Sequence, residues 1–192
     1  MKTLIYLHGF NSSSQSHKAT ITSEWFAQHR ANTQCLVPQL PDNPLLISSV
    51  ISSFIDALPA DSSLVGLLGS SMGGFFANYF SERLQLPAVL INPAVYPHKL
   101  LKEHLGLQNN PYTNTTYTLE ENMIQPLQDL VVNNMAEPKK RMVLQQKGDE
   151  VLDYREAAAF YCEAQMHLED GGNHSFQGYE NWMPLIAKFF SM

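Results

Sequence analysis

Apolar residues fall along this chain in two alternating patterns. Short unbroken runs occupy residues 3–7 (TLIYL), 33–37 (TQCLV), 63–68 (SLVGLL), 87–92 (PAVLIN), 140–146 (KRMVLQQ) and 164–169 (AQMHLE). Between them lie longer stretches at 14–30, 44–58, 73–84, 154–161 and 181–190, where apolar positions recur every three or four residues. The second pattern puts one apolar stripe on a helix, and the first suits strands buried on both faces. In the stretch 44–58 the stripe is Leu46, Val50, Ile51, Phe54, Ile55 and Leu58, and Pro44 suits the first helical turn. The order is strand, helix, strand, helix, strand, helix, strand, a gap at about 93–139, then strand, helix, strand, helix. That alternation predicts an α/β fold with a mostly parallel six-stranded sheet covered by helices. The gap is rich in Asn, Thr, Tyr and Pro, with helical patches near 98–105 and 119–132. It is expected to be an insertion within a single domain of residues 1–192, not a second domain.

Composition narrows the possibilities. At 192 residues, 44% hydrophobic and 16% charged, the chain can bury a sizeable core and does not suit a disordered protein. Its net charge of −6 argues against nucleic acid, whose binders carry a basic face. The basic run KKR (139–141) is expected to be a solvated loop. No run of apolar residues is long enough for a signal peptide core or a membrane span. Cys35 and Cys162 each lie in an apolar segment and are expected to be buried free thiols, which points to the cytoplasm.

The chemistry gathers where strands end. The stretch GSSMG (69–73) follows one strand and opens a helix, and it fits G-x-S-x-G with Ser71 at the centre. A nucleophile lifted clear of a sheet needs a strained turn and small neighbours, here Gly69 and Gly73. A serine hydroxyl also needs a base, and the base needs an orienting acid. Of seven histidines, His174 alone sits in a glycine-containing loop directly after the last strand, in EDGGNHSF (169–176). The acid should fall between Ser71 and His174 in the chain. The segment QQKGDEVLDY (145–154) offers Asp149, Glu150 and Asp153. Asp149 is preferred because it follows Gly148 at the strand end, while Asp153 is placed to cap the next helix and Glu150 to be solvated. An oxyanion needs two backbone N–H donors: that of Met72, after the nucleophile, and that of Phe10 in the loop HGFNSSS (8–14). His8 is expected to be structural. The aromatic stripe Phe75, Phe76, Tyr79 and Phe80 is expected to be core, with Phe10, Met72, Asn92, Pro93 and the insertion facing a pocket. No metal or cofactor is called for.

The motifs YLHGF, GSSMGG, GDEVLDY and GGNHSF resemble those of α/β-hydrolase esterases. With INPAV (91–95) and NPYT (110–113), nearly the whole chain resembles the short bacterial YqiA-type esterases. The resemblance implies a compact α/β-hydrolase fold that lacks the first two strands of larger members. It implies a sheet order of 2-1-3-4-5-6 in this chain's own strands, and a serine hydrolase of carboxylic esters or thioesters. It places the catalytic roles on Ser71, Asp149 and His174, with a small acyl ester or thioester as partner. The alternatives are a non-catalytic binding protein on the same fold and a thioester or carbon–carbon bond hydrolase using the same nucleophile.

Overall fold

A computed structural model describes residues 1–191. Six strands form one parallel sheet: β1 (Lys2–Leu7), β2 (Thr33–Leu36), β3 (Ser63–Ser71), β4 (Ala88–Pro93), β7 (Arg141–Gln146) and β8 (Gln165–Glu169). Their order is β2-β1-β3-β4-β7-β8, all neighbours parallel. Counted as six, that is the expected 2-1-3-4-5-6. The connections are α1 (His17–His29), α2 (Pro44–Asp56), α3 (Met72–Leu84) and α6 (Tyr154–Phe160), and α7 (Met183–Phe189) closes the chain. This is the strand order and the covering of helices that the resemblance implied.

Strand side chains alternate between two cores, because successive residues of a strand face opposite sides. Ile5, Leu7, Leu67, Leu90 and Val143 pack with Ile47 and Ile51 of α2 and with Phe75, Phe76 and Phe80 of α3. Leu4, Tyr6, Leu68, Val89, Ile91 and Leu144 face the other way, onto Ala19 and Phe26 of α1 and Met183, Ile186 and Ala187 of α7. Each fully buried aliphatic side chain contributes about 1.5–3 kcal/mol. Phe75, Phe76 and Phe80 are core, as their spacing implied, while Tyr79 is partly buried.

Three details differ from the sequence reading. Leu46 is half exposed, and Ile47 heads the buried stripe of α2 instead. Asn43 sets that phase: it caps the helix, accepting from the Leu45 N–H at 3.0 Å, with Pro44 in the first turn. Cys35 is buried but Cys162 is exposed, because it lies in the turn after α6 and not in a packed run. Arg141, assigned to a solvated run, is 1% exposed. Its guanidinium donates to Asn78 Oδ1 at 3.1 Å and pairs with Glu82 at 2.5 Å, so the charge is neutralised where β7 begins.

The segment 93–139 holds more order than its composition suggested. The short helices α4 (Pro97–Leu100) and α5 (Glu121–Ile124) coincide with the two helical patches. Between them lies an unanticipated antiparallel hairpin, β5 (Gly106–Asn110) and β6 (Thr115–Leu119). Leu101, Leu119, Ile124 and Leu127 carry the segment into the core beside α2 and α3. No helix among the described residues is long and apolar enough to cross a membrane.

Candidate active site

At the carboxyl end of β3 the chain turns into α3 within one residue, and that residue is Ser71. Its backbone sits at φ 54°, ψ −125°, a conformation that costs a non-glycine residue on the order of 1–3 kcal/mol. Its hydroxyl is not used to cap the helix, so Oγ stays free at the turn. Close packing explains the neighbours. A Cβ at Gly69 would run into the backbone of Gly73 and Gly74, and one at Gly73 would strike the carbonyls of Leu7 and His8. Small residues are thus required where β3, the start of α3 and the end of β1 meet. That contact brings the loop after β1 beside the serine: a methyl group on Gly9 would lie 3.3 Å from Ser71 Cβ and 3.7 Å from Oγ. Phe10 follows Gly9 in that loop, and Met72 follows Ser71.

His8 is structural, as expected. It is 2% exposed. Its Nδ1 lies 3.0 Å from the Gly9 carbonyl, and its Nε2 accepts the Leu40 N–H at 3.0 Å. That pairing requires neutral imidazole with the proton on Nδ1.

The structure brings Asp149 and His174 together. His174 Nδ1 lies 2.8 and 3.0 Å from the two carboxylate oxygens of Asp149. The Asp149 side chain is wholly buried, and that of His174 is 23% exposed. Asp149 Oδ1 also accepts the backbone N–H groups of Val151 and Leu152, each at 2.9 Å, which fixes the carboxylate in its own loop. With Nδ1 donating to a carboxylate, Nε2 is the nitrogen left to accept a proton. Asp153 does what its position suggested: it caps α6, accepting from the Arg155 N–H at 3.0 Å.

The loop that carries His174 is pinned from several sides, by Gln146 and Lys18, which the sequence did not single out, and by Asn92 and Glu150, to which it gave other roles. Asn92 at the end of β4 donates to the carbonyls of Asn173 (2.9 Å) and His174 (3.2 Å), and it accepts the Gln146 N–H at 2.9 Å. Gln146 Oε1 accepts from the Asn173 and Gln177 N–H groups. Glu150 is exposed, as expected, but it is not idle. Its carboxylate accepts the His174 N–H at 2.9 Å, and that bond first of all holds the carboxyl below its ordinary range. Lys18 of α1 donates to the Ser175 carbonyl at 3.0 Å. Burial pulls its ammonium down to about 8, against the opposite pull of Asp149. Of the expected pocket residues, Phe10 is partly buried, whereas Met72, Asn92 and Pro93 are buried in the fold. Asn92 is therefore a brace of the histidine loop and not a pocket wall. Because β3 and β4 are neighbours, with Ser71 paired to Pro93, that brace stands at the strand end beside the serine.

No group of described side chains has the composition and proximity of a metal site. Comparison with known proteins agrees with the architecture. The model of a family described as "Uncharacterised protein family (UPF0227)" matches residues 3–191. Est1E from Butyrivibrio proteoclasticus, solved with ferulic acid bound, superposes with a TM-score of 0.75 at 14% identity, covering 100% of this chain and 90% of that one. Mouse alpha/beta hydrolase domain-containing protein 10 gives 0.74 at 13% identity, covering 98% and 89%. The Pyrococcus furiosus esterase Pf2001 gives 0.67 at 15% identity, covering 99% and 80%.

Proposed function

The chain belongs to the family UPF0227, and from that premise we propose that it is a serine hydrolase of carboxylic esters or acyl thioesters. One observation carries the reading: a non-glycine residue held at φ 54° at the end of β3, with its hydroxyl free, in the same molecule as a buried carboxylate gripping a loop imidazole. Strain at that position has a use if it lifts Oγ toward a substrate carbonyl. Ser71 Oγ attacks that carbonyl and His174 Nε2 takes its proton. Asp149 holds the imidazolium in place as it forms. The oxyanion is met by the N–H groups of Phe10 and Met72. His174 then returns the proton to the leaving alcohol or thiol, and an acyl-serine remains. Water, deprotonated by the same imidazole, attacks the acyl-serine, and the acid departs as Ser71 regains its proton. The segment 93–139 covers this site, since its hairpin reaches the loop that carries Phe10. The esterases among the structural neighbours support the substrate class. The free thiols Cys35 and Cys162 support a reducing, cytoplasmic setting.

The test is a fluorophosphonate probe with mass mapping, beside a panel of acyl esters and thioesters of increasing chain length. The label is expected on Ser71 alone. Ser71→Ala should abolish labelling and most turnover with an unchanged melting temperature. A label on Ser70 overturns the assignment. Absence of turnover across the panel by a labelled, folded protein favours a binding protein on this fold.

A further inference from the structure

The hairpin β5–β6 grips the loop after β1 through a polar network. Asn11, next to Phe10, sits at φ 49°, a left-handed conformation in which asparagine is one of the few tolerated residues. Both ends of its amide are held by the hairpin. Tyr117 Oη donates to Asn11 Oδ1 at 2.8 Å, and Asn11 Nδ2 donates to Gln108 Oε1 at 3.1 Å. One residue on, the Ser12 carbonyl accepts from Asn110 Nδ2 at 3.0 Å. Asn110 is 1% exposed, and the same amide nitrogen donates to Asp42 Oδ1 at 2.7 Å, in the loop after β2. Thr115 on the opposite strand closes the network onto Asp42 Oδ2 at 2.5 Å. The Phe10 ring meets Tyr117 edge to face, with centroids 6.4 Å apart.

The hairpin departs from β4, yet its contacts are with loops that follow β1 and β2, across the strand ends. A hairpin that served only to shield the core would need apolar contacts there. This one uses three side chains, those of Tyr117, Gln108 and Asn110, on the amide of Asn11 and the carbonyl of Ser12, and a partly buried polar network of this kind favours one geometry because its partners are satisfied together.

We propose that the β5–β6 hairpin is the positioning device for the oxyanion-binding loop, with Tyr117 and Asn11 as positioning residues that aim the Phe10 N–H at the developing negative charge. The inference rests on the hydrolase reading above. The hairpin meets the loop that carries the donor at Asn11, Ser12 and the Phe10 ring, all of them beside the Phe10 N–H. It therefore acts on transition-state stabilisation and not on ground-state substrate binding. Loss of the Tyr117 hydroxyl releases one end of the Asn11 amide, the loop relaxes, and the donor moves from its aim while the Phe10–Tyr117 ring contact remains.

The experiment uses Tyr117→Phe and Asn11→Gly, the second because glycine keeps the left-handed backbone without the amide. Three quantities are measured: kcat and KM on a short p-nitrophenyl ester, the inhibition constant of an aryl trifluoromethyl ketone, whose adduct on Ser71 carries the oxyanion, and the melting temperature. Each variant is expected to lose about tenfold in kcat with KM near wild type, since removal of one oxyanion donor outright costs about 10²–10³ and a misaimed donor costs less. Ketone affinity should fall by the same factor. The double variant should lose little more than either single one, because both cut one link. Wild-type ketone affinity and kcat in both variants overturn the proposal. So does a fall in kcat that only tracks lost folded protein while ketone affinity per folded site is unchanged. If the wild-type enzyme neither binds the ketone nor turns over the ester, it is the hydrolase reading that has failed, and the hairpin's role falls with it.

Discussion

His8 shows how much one side chain can be asked to do beside the proposed active site. Its ring is held between an acceptor at Gly9 and a donor at Leu40, so both nitrogens are committed to the neutral form. Burial, before anything else, lowers its pKa. The unfolded chain then binds a proton at a pH where the folded protein does not, so stability is complete above about pH 6.5 and falls as the pH drops below it. The slope from one such group reaches at most about 1.4 kcal/mol per pH unit. Melting temperatures of wild type and His8→Gln between pH 7 and 5 check this. Glutamine offers an acceptor to the Leu40 N–H and does not titrate, so the variant should lose less stability on acidification. Parallel curves would show that His8 carries none of the acid sensitivity. At this scale the sequence was informative wherever a residue's role is local. Ser71 announced itself by its glycines, and Asp153 by its place before a helix. It gave Glu150 only to solvent and Asn92 to a pocket, and it was silent on Lys18, because their partners lie 24 to 157 residues away in the chain.

Among the elements, those built from apolar periodicity matched the sequence closely, because burial on two faces or one stripe leaves a direct mark on residue order. The hairpin escaped for the opposite reason. Leu107 is 76% exposed, and the inward positions of β5 are Gln108 and Asn110, so burial alternates there without an apolar period to mark it. Its order comes from Asn110, Asp42 and Tyr117, which no period marks. The loop between β7 and α6 poses a sharper question, since two aspartates four residues apart were both eligible as the acid. Asp149 is buried against His174, while Asp153 is spent on the Arg155 N–H and guanidinium. Asp149→Asn is therefore expected to cut turnover by up to about 10⁴, the cost of the equivalent change in a well-studied triad. Asp153→Asn should lose about 1 kcal/mol of helix capping and a few degrees of melting temperature, with turnover near wild type. Turnover and melting temperature for each variant decide it. An inactive, folded Asp153→Asn would mean that the acid has been misassigned.

The whole molecule places its chemistry by topology. Ligand sites in open α/β sheets lie outside the carboxyl ends of the strands, near the point where strand order reverses, and here that point lies between β1 and β3. Ser71 stands at the end of β3, the Phe10 loop at the end of β1, and Asp149 and His174 beyond the ends of β7 and β8. Four separate chain segments must therefore be held in register across the sheet, and the strand order, which was legible, does not by itself hold them. Asn92 does part of this. It is 1% exposed at the end of β4, between Ser71 and the Asp149–His174 pair, and its amide joins the Gln146 N–H to the carbonyls of Asn173 and His174. The sequence placed it at the site's edge but assigned it to a pocket wall, because no local pattern shows where a buried amide sends its hydrogen bonds. Asn92→Ala strands one backbone N–H and loosens two carbonyls of the histidine loop. Each buried group left unpaired costs about 1–3 kcal/mol, so a loss of several degrees in melting temperature is expected. Turnover measured well below the melting temperature should fall as well, because His174 no longer sits where Asp149 and Ser71 require it. Since β4 itself stays paired on both sides, the sheet should survive the change. If the variant melts early yet turns over ester at the wild-type rate in the cold, Asn92 braces the fold alone, and the histidine loop is held by Gln146, Glu150 and Lys18 without it.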